Sequence, residues 1–192
     1  NLAYYLGSAL GDGGVLALVC DSTNVFNDAP SGSEGGVREG LHQVVAGAKG
    51  RVVVTTFASN AARLATLGEV ARGAGRQLCV AGRSLDRIIE VAKSCGYLAD
   101  MPPLIDWDAA MRLPRDKVMV IATGGQGEVR AALARMAEGN HPIKLEEGDR
   151  VVYSSKQIPG NEIAIGRIMN RLAERGIETI TGSSGADILT AS

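Results

Sequence analysis

Apolar residues recur along the chain in short unbroken runs, each ending in a small polar loop and followed by a segment with helical spacing. The clearest example is Val118-Met119-Val120-Ile121-Ala122, which leads into Thr123-Gly124-Gly125-Gln126-Gly127-Glu128. Five small or branched apolar residues without a polar break suit a parallel strand covered on both faces. Three glycines then release the backbone, and Gln126-Gly127-Glu128 opens a stretch from Val129 to Ala137 with helical character. A strand that turns through glycines into a helix points free N–H groups and the positive end of the helix dipole outward. That geometry receives phosphate or carboxylate.

The unit repeats. Leu2, Tyr5, Leu6, Ala9 and Leu10 recur at helical spacing and close at Gly11 to Gly14, a lead-in helix. Val15 to Cys20 reads as a strand that stops at Asp21-Ser22-Thr23-Asn24, residues that local pattern favours as a capping turn over a site. Val25 to Gly36 reads as loop, and Val37, Leu41, Val44 and Val45 mark a helical face beyond it. Arg51 to Thr56 is the next strand. Its loop holds Phe57, Ser59 and Asn60, and Asn60 or Ser59 can cap the helix carrying Leu64, Leu67 and Val70. Gln77 to Ala81 ends in Gly82-Arg83-Ser84 before a helix with Leu85, Ile88, Ile89 and Ala92. Asp100 to Pro114 is an irregular connector with a short helix around Trp107 to Leu113. Arg150 to Tyr153 ends in Ser154-Ser155-Lys156-Gln157-Ile158-Pro159-Gly160-Asn161-Glu162, and a helix carries Ile163, Ile165, Ile168, Met169 and Leu172. Ile177 to Thr181 is a last strand, with Gly182-Ser183-Ser184-Gly185-Ala186-Asp187 after it.

Strands alternating with helices at this spacing predict an α/β fold: three layers, with a mostly parallel sheet flanked by helices. Ligands of such sheets sit at the carboxyl ends of the strands. Here six loops of Ser, Thr, Gly and Asn, with Arg83 and Lys156 among them, gather there as a polar, anion-tolerant rim. Helix capping selects the same residue types, so the signal lies in the six together.

Composition narrows the picture. The 192 residues are 45% hydrophobic and 4% aromatic, so the core is aliphatic, and the length supports one domain or slightly more. A formal charge of −1 excludes a global basic footprint, so nucleic-acid contact has to be local. Cys20, Cys79 and Cys95 form no CxxC and no Cys/His cluster, which argues against disulfide or structural zinc. His42 reads as a partly exposed helix residue, His141 as a solvated turn residue, and Trp107 as an amphipathic anchor. No apolar run approaches the ~20 residues of a membrane span. The chain begins at Asn1 without an initiator Met or signal peptide and reads as a piece of an intracellular, cytoplasmic protein.

The strings CDSTN, TTFASN, GRS, IATGGQGE and SSKQIPGNE, in this order and over nearly the whole chain, resemble the ribonuclease J family. The resemblance implies a zinc-dependent ribonuclease whose metallo-β-lactamase domain is interrupted by a second α/β domain, β-CASP. This chain would be the β-CASP part over residues 14–192, with residues 1–13 leading in from the metallo-β-lactamase half. By motif, Asp21 would lie beside the parent's zinc site and orient a histidine supplied later in the parent chain. The HxHxDH zinc motif is absent here, so the resemblance places two zinc ions in the other domain and none in this piece. It implies RNA and the metallo-β-lactamase domain of the same chain as partners, no membrane, and a homo-oligomeric parent. The residues that would contact RNA or its phosphates are Ser22, Thr23, Phe57, Ser59, Asn60, Arg83, Ser84, Thr123, Gly124, Gly125, Gln126, Gly127, Glu128, Ser154, Ser155, Lys156, Asn161, Ser183, Ser184 and Gly185. The rival reading is a free-standing nucleotide- or sugar-phosphate-binding α/β module.

Overall fold

A computed structural model describes residues 33–182. The lead-in helix, the strand expected at Val15 to Cys20, Asp21, Ser22, Thr23, Ser183, Ser184 and Gly185 lie outside the described residues. Within them, strands β1 (Val52–Thr55), β2 (Gln77–Ala81), β3 (Leu104–Ile105), β4 (Val118–Ala122), β5 (Arg150–Tyr153) and β6 (Glu178–Ile180) form one sheet in the order β3-β2-β4-β1-β5-β6. Every pairing is parallel. Helices α1 (Glu34–Ala46), α2 (Ala61–Gly73), α3 (Arg83–Ser94), α4 (Trp107–Arg112), α5 (Ala132–Ala137) and α6 (Glu162–Glu174) complete the unit.

Alternation along the strands sorts the helices into two layers. Val52, Val54, Leu78, Val80, Met119, Ile121 and Val152 face one side, where Val37, Leu41, Leu64, Leu67, Leu85 and Ile89 of α1, α2 and α3 cover them. Val53, Cys79, Ala81, Val118, Val120, Ala122 and Val151 face the other, under Ala110 of α4, Leu133 and Met136 of α5, and Ile165, Ile168 and Leu172 of α6. β1 and β4 are buried at every residue, as their unbroken apolar runs require.

A network of buried charges lies at the amino edge of the sheet. The Asp149 carboxylate, with no exposure, accepts from the Arg51 amide (2.8 Å), the Glu146 amide (2.9 Å) and Arg115 (3.1 Å). The Arg76 guanidinium donates to the carbonyls of Ala48 (2.6 Å), Gly50 (2.8 Å), Val118 (3.1 Å) and Val45 (3.3 Å). Buried charges persist only when satisfied in this way. These contacts clasp the amino edge shut and leave the carboxyl edge to the loops.

Four expectations are corrected. Helix α1 starts at Glu34, because Ser33 accepts from the Gly36 amide (3.1 Å) and caps it, so the preceding loop is shorter than the sequence suggests. The two-residue strand β3 lies inside the connector read as irregular. The helix expected from Val129 begins only at Ala132 and runs six residues. His141 is not solvated: it is 2% exposed, and its ring centroid lies 4.9 Å from that of Trp107.

Candidate functional site at the carboxyl edge

The edge is built where connections diverge. β1 leads to α2 on one face of the sheet, whereas its neighbour β4 leads to α5 on the other. Loops that part to opposite faces leave a crevice between them. A cleft of about 280 Å³ occupies it, lined by Thr56, Phe57 and Ala58 after β1, Ser84 at the start of α3, Thr123, Gly124, Gly125, Gln126 and Glu128 after β4, Ala131, and Ser155 after β5. Phe57 is 38% exposed, an aromatic ring at the edge of a polar rim. The Thr56 hydroxyl is buried and has no hydrogen-bond partner among the described residues. An unsatisfied buried hydroxyl costs about 1–3 kcal/mol, a cost that a ligand or water in the cleft would remove.

The structure gathers Phe57, Ser84, Thr123, Gly124, Gly125, Gln126, Glu128 and Ser155 into this one cleft. Gly125 is required by close approach, since a Cβ there would sit 2.9 Å from Thr55 Oγ1. The other expected site residues have different surroundings. Asn60 caps α2, its side chain accepting from the Arg63 amide (3.0 Å). Ser154 is 1% exposed, and both its carbonyl (2.8 Å) and its hydroxyl (2.5 Å) accept from the buried Arg63 guanidinium. Arg63 also holds Glu34 at 2.6 Å. Ser59 and Arg83 are exposed and lie off the cleft lining. Gly127 packs against the first turn of α6, where a Cβ would lie 2.6 Å from that of Ala164. Lys156 and Asn161 join the rim through Gln126.

Gln126 has a structural part as well as its place in the cleft lining. It is 8% exposed, and its side chain spans to the loop after β5. Nε2 donates to the Lys156 carbonyl (2.9 Å) and the Ser155 hydroxyl (3.4 Å). Oε1 accepts from the Ile158 amide (2.9 Å) and from Asn161 Nδ2 (3.2 Å). A backbone carbonyl at one end and a backbone N–H at the other fix the orientation of the amide.

The expected phosphate nest is also modified. The Gln126 amide donates to the Glu128 carboxylate (3.0 Å), and the Gly127 amide turns back to the Gly124 carbonyl (3.2 Å). Thr123 Oγ1 accepts from the Ala132 amide at 3.3 Å. These N–H groups are therefore committed within the loop, and Glu128 brings a negative charge to the cleft. No Lys or Arg lines the cleft among the described residues. The cleft presents the Phe57 ring for stacking and the side chains of Thr56, Ser84, Thr123 and Ser155 for hydrogen bonding. Thr56, Ala58 and Ala131 line it without having been singled out. Thr56, at the end of an apolar run, carried no signal beyond its place beside Phe57.

Among the described residues no group of three or more His, Cys, Asp and Glu is placed to hold a metal ion. His42 is exposed on α1. His141 Nδ1 accepts from the Ile143 amide (3.1 Å), and burial together with Arg135 and Lys144 depresses its pKa to about 4. Burial pushes the Cys79 thiol up to about 11, which makes it an inert core group. No helix among the described residues is long and apolar enough to cross a membrane.

Residues 49–172 match the family described as "Ribonuclease J, beta-CASP domain". Ribonuclease J of Sinorhizobium meliloti is 46% identical over 175 residues, covering 91% of this chain and 31% of that protein. Ribonuclease J of Mycolicibacterium smegmatis is 42% identical over 178 residues, covering 92% and 32%. That of Thermus thermophilus is 38% identical over 164 residues, covering 85% and 29%. The chain thus spans about a third of the length of these relatives.

Proposed function

The chain belongs to the β-CASP domain family of ribonuclease J, and from that premise we propose that it forms the RNA-binding wall of a ribonuclease that hydrolyses RNA phosphodiesters. The observation that supports this most is the cleft at the divergence of β1 and β4, with the half-exposed Phe57 ring beside the unsatisfied Thr56 hydroxyl. An aromatic face accepts any base by stacking, worth about 1–3 kcal/mol per base, and polar loops track the sugar and backbone. The rival phosphate-binding module relies on free amides in the glycine loop, and those of Gln126 and Gly127 are occupied.

In this reading the metal chemistry belongs to a metallo-β-lactamase domain of the parent, which supplies two zinc ions. The described residues do not fit a zinc site, and no step through a metal is assigned to them. Asp21 acts in the parent by orienting a histidine. Its replacement by Ala should lower turnover far more than RNA affinity, because a misoriented histidine harms the transition state rather than the bound state. The piece alone is inactive, and the parent is a cytoplasmic homo-oligomer.

The test is binding and cleavage of labelled single-stranded RNA by the full-length protein. Phe57→Ala should weaken binding by about 5- to 150-fold, the range that one lost base stack allows. Unchanged affinity would remove the cleft from the RNA path. Cleavage by the isolated chain with added Zn²⁺ would overturn the division of labour between the domains.

A further inference from the structure

The loop after β4 and the loop after β5 are joined by one side chain. Gln126 reaches from the first to the second, 30 and 32 positions along the chain, and satisfies both ends of its amide on Lys156 and Ile158. Asn161 donates to the same Oε1 at 3.2 Å. The side chain is 8% exposed and so is hardly presented to a ligand. Its neighbours make the joint close-fitting: a Cβ on Gly125 would meet Ser155 Oγ at 3.2 Å, and one on Gly127 would meet the Ile165 amide at 2.8 Å.

We infer that Gln126 is a positioning residue that locks these two loops into a single RNA-facing surface. The inference rests on the RNA-binding reading above and adds a role exerted through the two loops that the side chain joins. The loop after β4 carries Glu128 and half the cleft, and the loop after β5 carries Ser155, Lys156 and Asn161. With the crosslink intact the second loop has one arrangement relative to the first. Without it, the Ile158 amide turns to water, the Lys156 carbonyl loses the bond from Gln126, and the second loop samples several arrangements. RNA binding must then select one of them, which lowers the apparent affinity by the fraction populated.

Two substitutions test this in the full-length protein. Gln126→Leu keeps roughly the volume and removes both ends of the crosslink. Gln126→Glu keeps the acceptor for Ile158 and Asn161 but sets a carboxylate against the Lys156 carbonyl, so it should fall between Leu and the unsubstituted protein. For Gln126→Leu, amide hydrogen exchange at Ile158 should quicken by about tenfold or more, as expected for loss of a partly buried bond that holds the loop. KM for single-stranded RNA should rise by about tenfold while kcat changes by less than about twofold, since the reacting atoms are not touched. A residue that served stability alone would lower the unfolding midpoint and leave KM where it was, and that outcome overturns the inference. Unchanged exchange at Ile158 overturns it as well. If Gln126→Leu fails to fold, Gln126→Glu decides by the same two readouts. Failure of the unsubstituted protein to bind RNA would instead sink the RNA reading, with Ile158 exchange still reporting on the crosslink.

Discussion

His141 is 2% exposed and held neutral between Trp107 and the Ile143 amide, with a pKa near 4 against an ordinary 6.5. The depression comes first from burial and then from the positive charges of Arg135 and Lys144. Protons therefore bind the unfolded chain more readily than the folded one between about pH 6.5 and pH 4. Stability is intact above pH 6.5, falls as pH drops through that window by about 1.4 kcal/mol per unit of depression, and levels off below it. Denaturant midpoints measured across the window should show this slope, and His141→Phe should flatten it. Glycines make a second case at this scale. Gly127→Ala forces a Cβ to 2.6 Å from that of Ala164 at a φ of +83°. It should cost about 2–4 kcal/mol of stability, from strain and overpacking together. At Gly139, with φ +73° and nothing within 4 Å, Ala should cost only about 1 kcal/mol. Equal losses at both positions, measured by chemical denaturation, would contradict the close packing of the β4 loop on α6.

Between elements, a few buried side chains do the joining. Arg63 of α2 reaches Glu34 at the start of α1 and Ser154 at the end of β5. Glu34, though partly desolvated, keeps its carboxyl below the ordinary value because Arg63 and Thr66 outweigh that burial. Arg63→Ala should destabilise by about 2–4 kcal/mol, toward the low end of what an orphaned buried charge costs, since the Glu34 side chain stays 31% exposed. Acid titration of the same variant should raise the Glu34 pKa, read from its carboxyl carbon shift. The β4 connection carries the main element-scale lesson. Its apolar strand is plain in the sequence, but the six-residue α5 begins at Ala132, where the Glu128 carbonyl takes the Ala131 amide in a turn and Thr123 Oγ1 takes the Ala132 amide. Helical composition from Val129 onward could not reveal that competition.

At the scale of the whole molecule the two edges of the sheet have opposite tasks. Arg51, Arg76, Arg115 and Asp149 close the amino edge with paired charges, although the buried Arg51 Nε has no hydrogen-bond partner among the described residues, while the carboxyl edge carries the cleft. Chemical-shift mapping with a short RNA should move Phe57, Thr123–Glu128 and Ser155–Asn161 before residues near Gly75 and Gly148. Shifts confined to the latter would reverse the assignment. With a net charge of −1 and no Lys or Arg lining the cleft among the described residues, few phosphates are neutralised. The slope of log affinity against log salt for this chain should be only about −1 to −3, at roughly 0.7 per contact on single strands. A slope near −8 would reveal a basic surface. The sequence by itself determined the α/β class, the parallel strands and the polar loops at their carboxyl ends. Unbroken apolar runs, helical spacing and glycine breaks are local features that act through the nearest few residues. Only the tertiary structure decided which loops adjoin, that Ser154 serves the fold, that His141 is buried under Trp107, and that Gln126 joins two loops. Each depends on a partner brought close by the strand order, and residue type along a strand fixes which face is buried without specifying its neighbour.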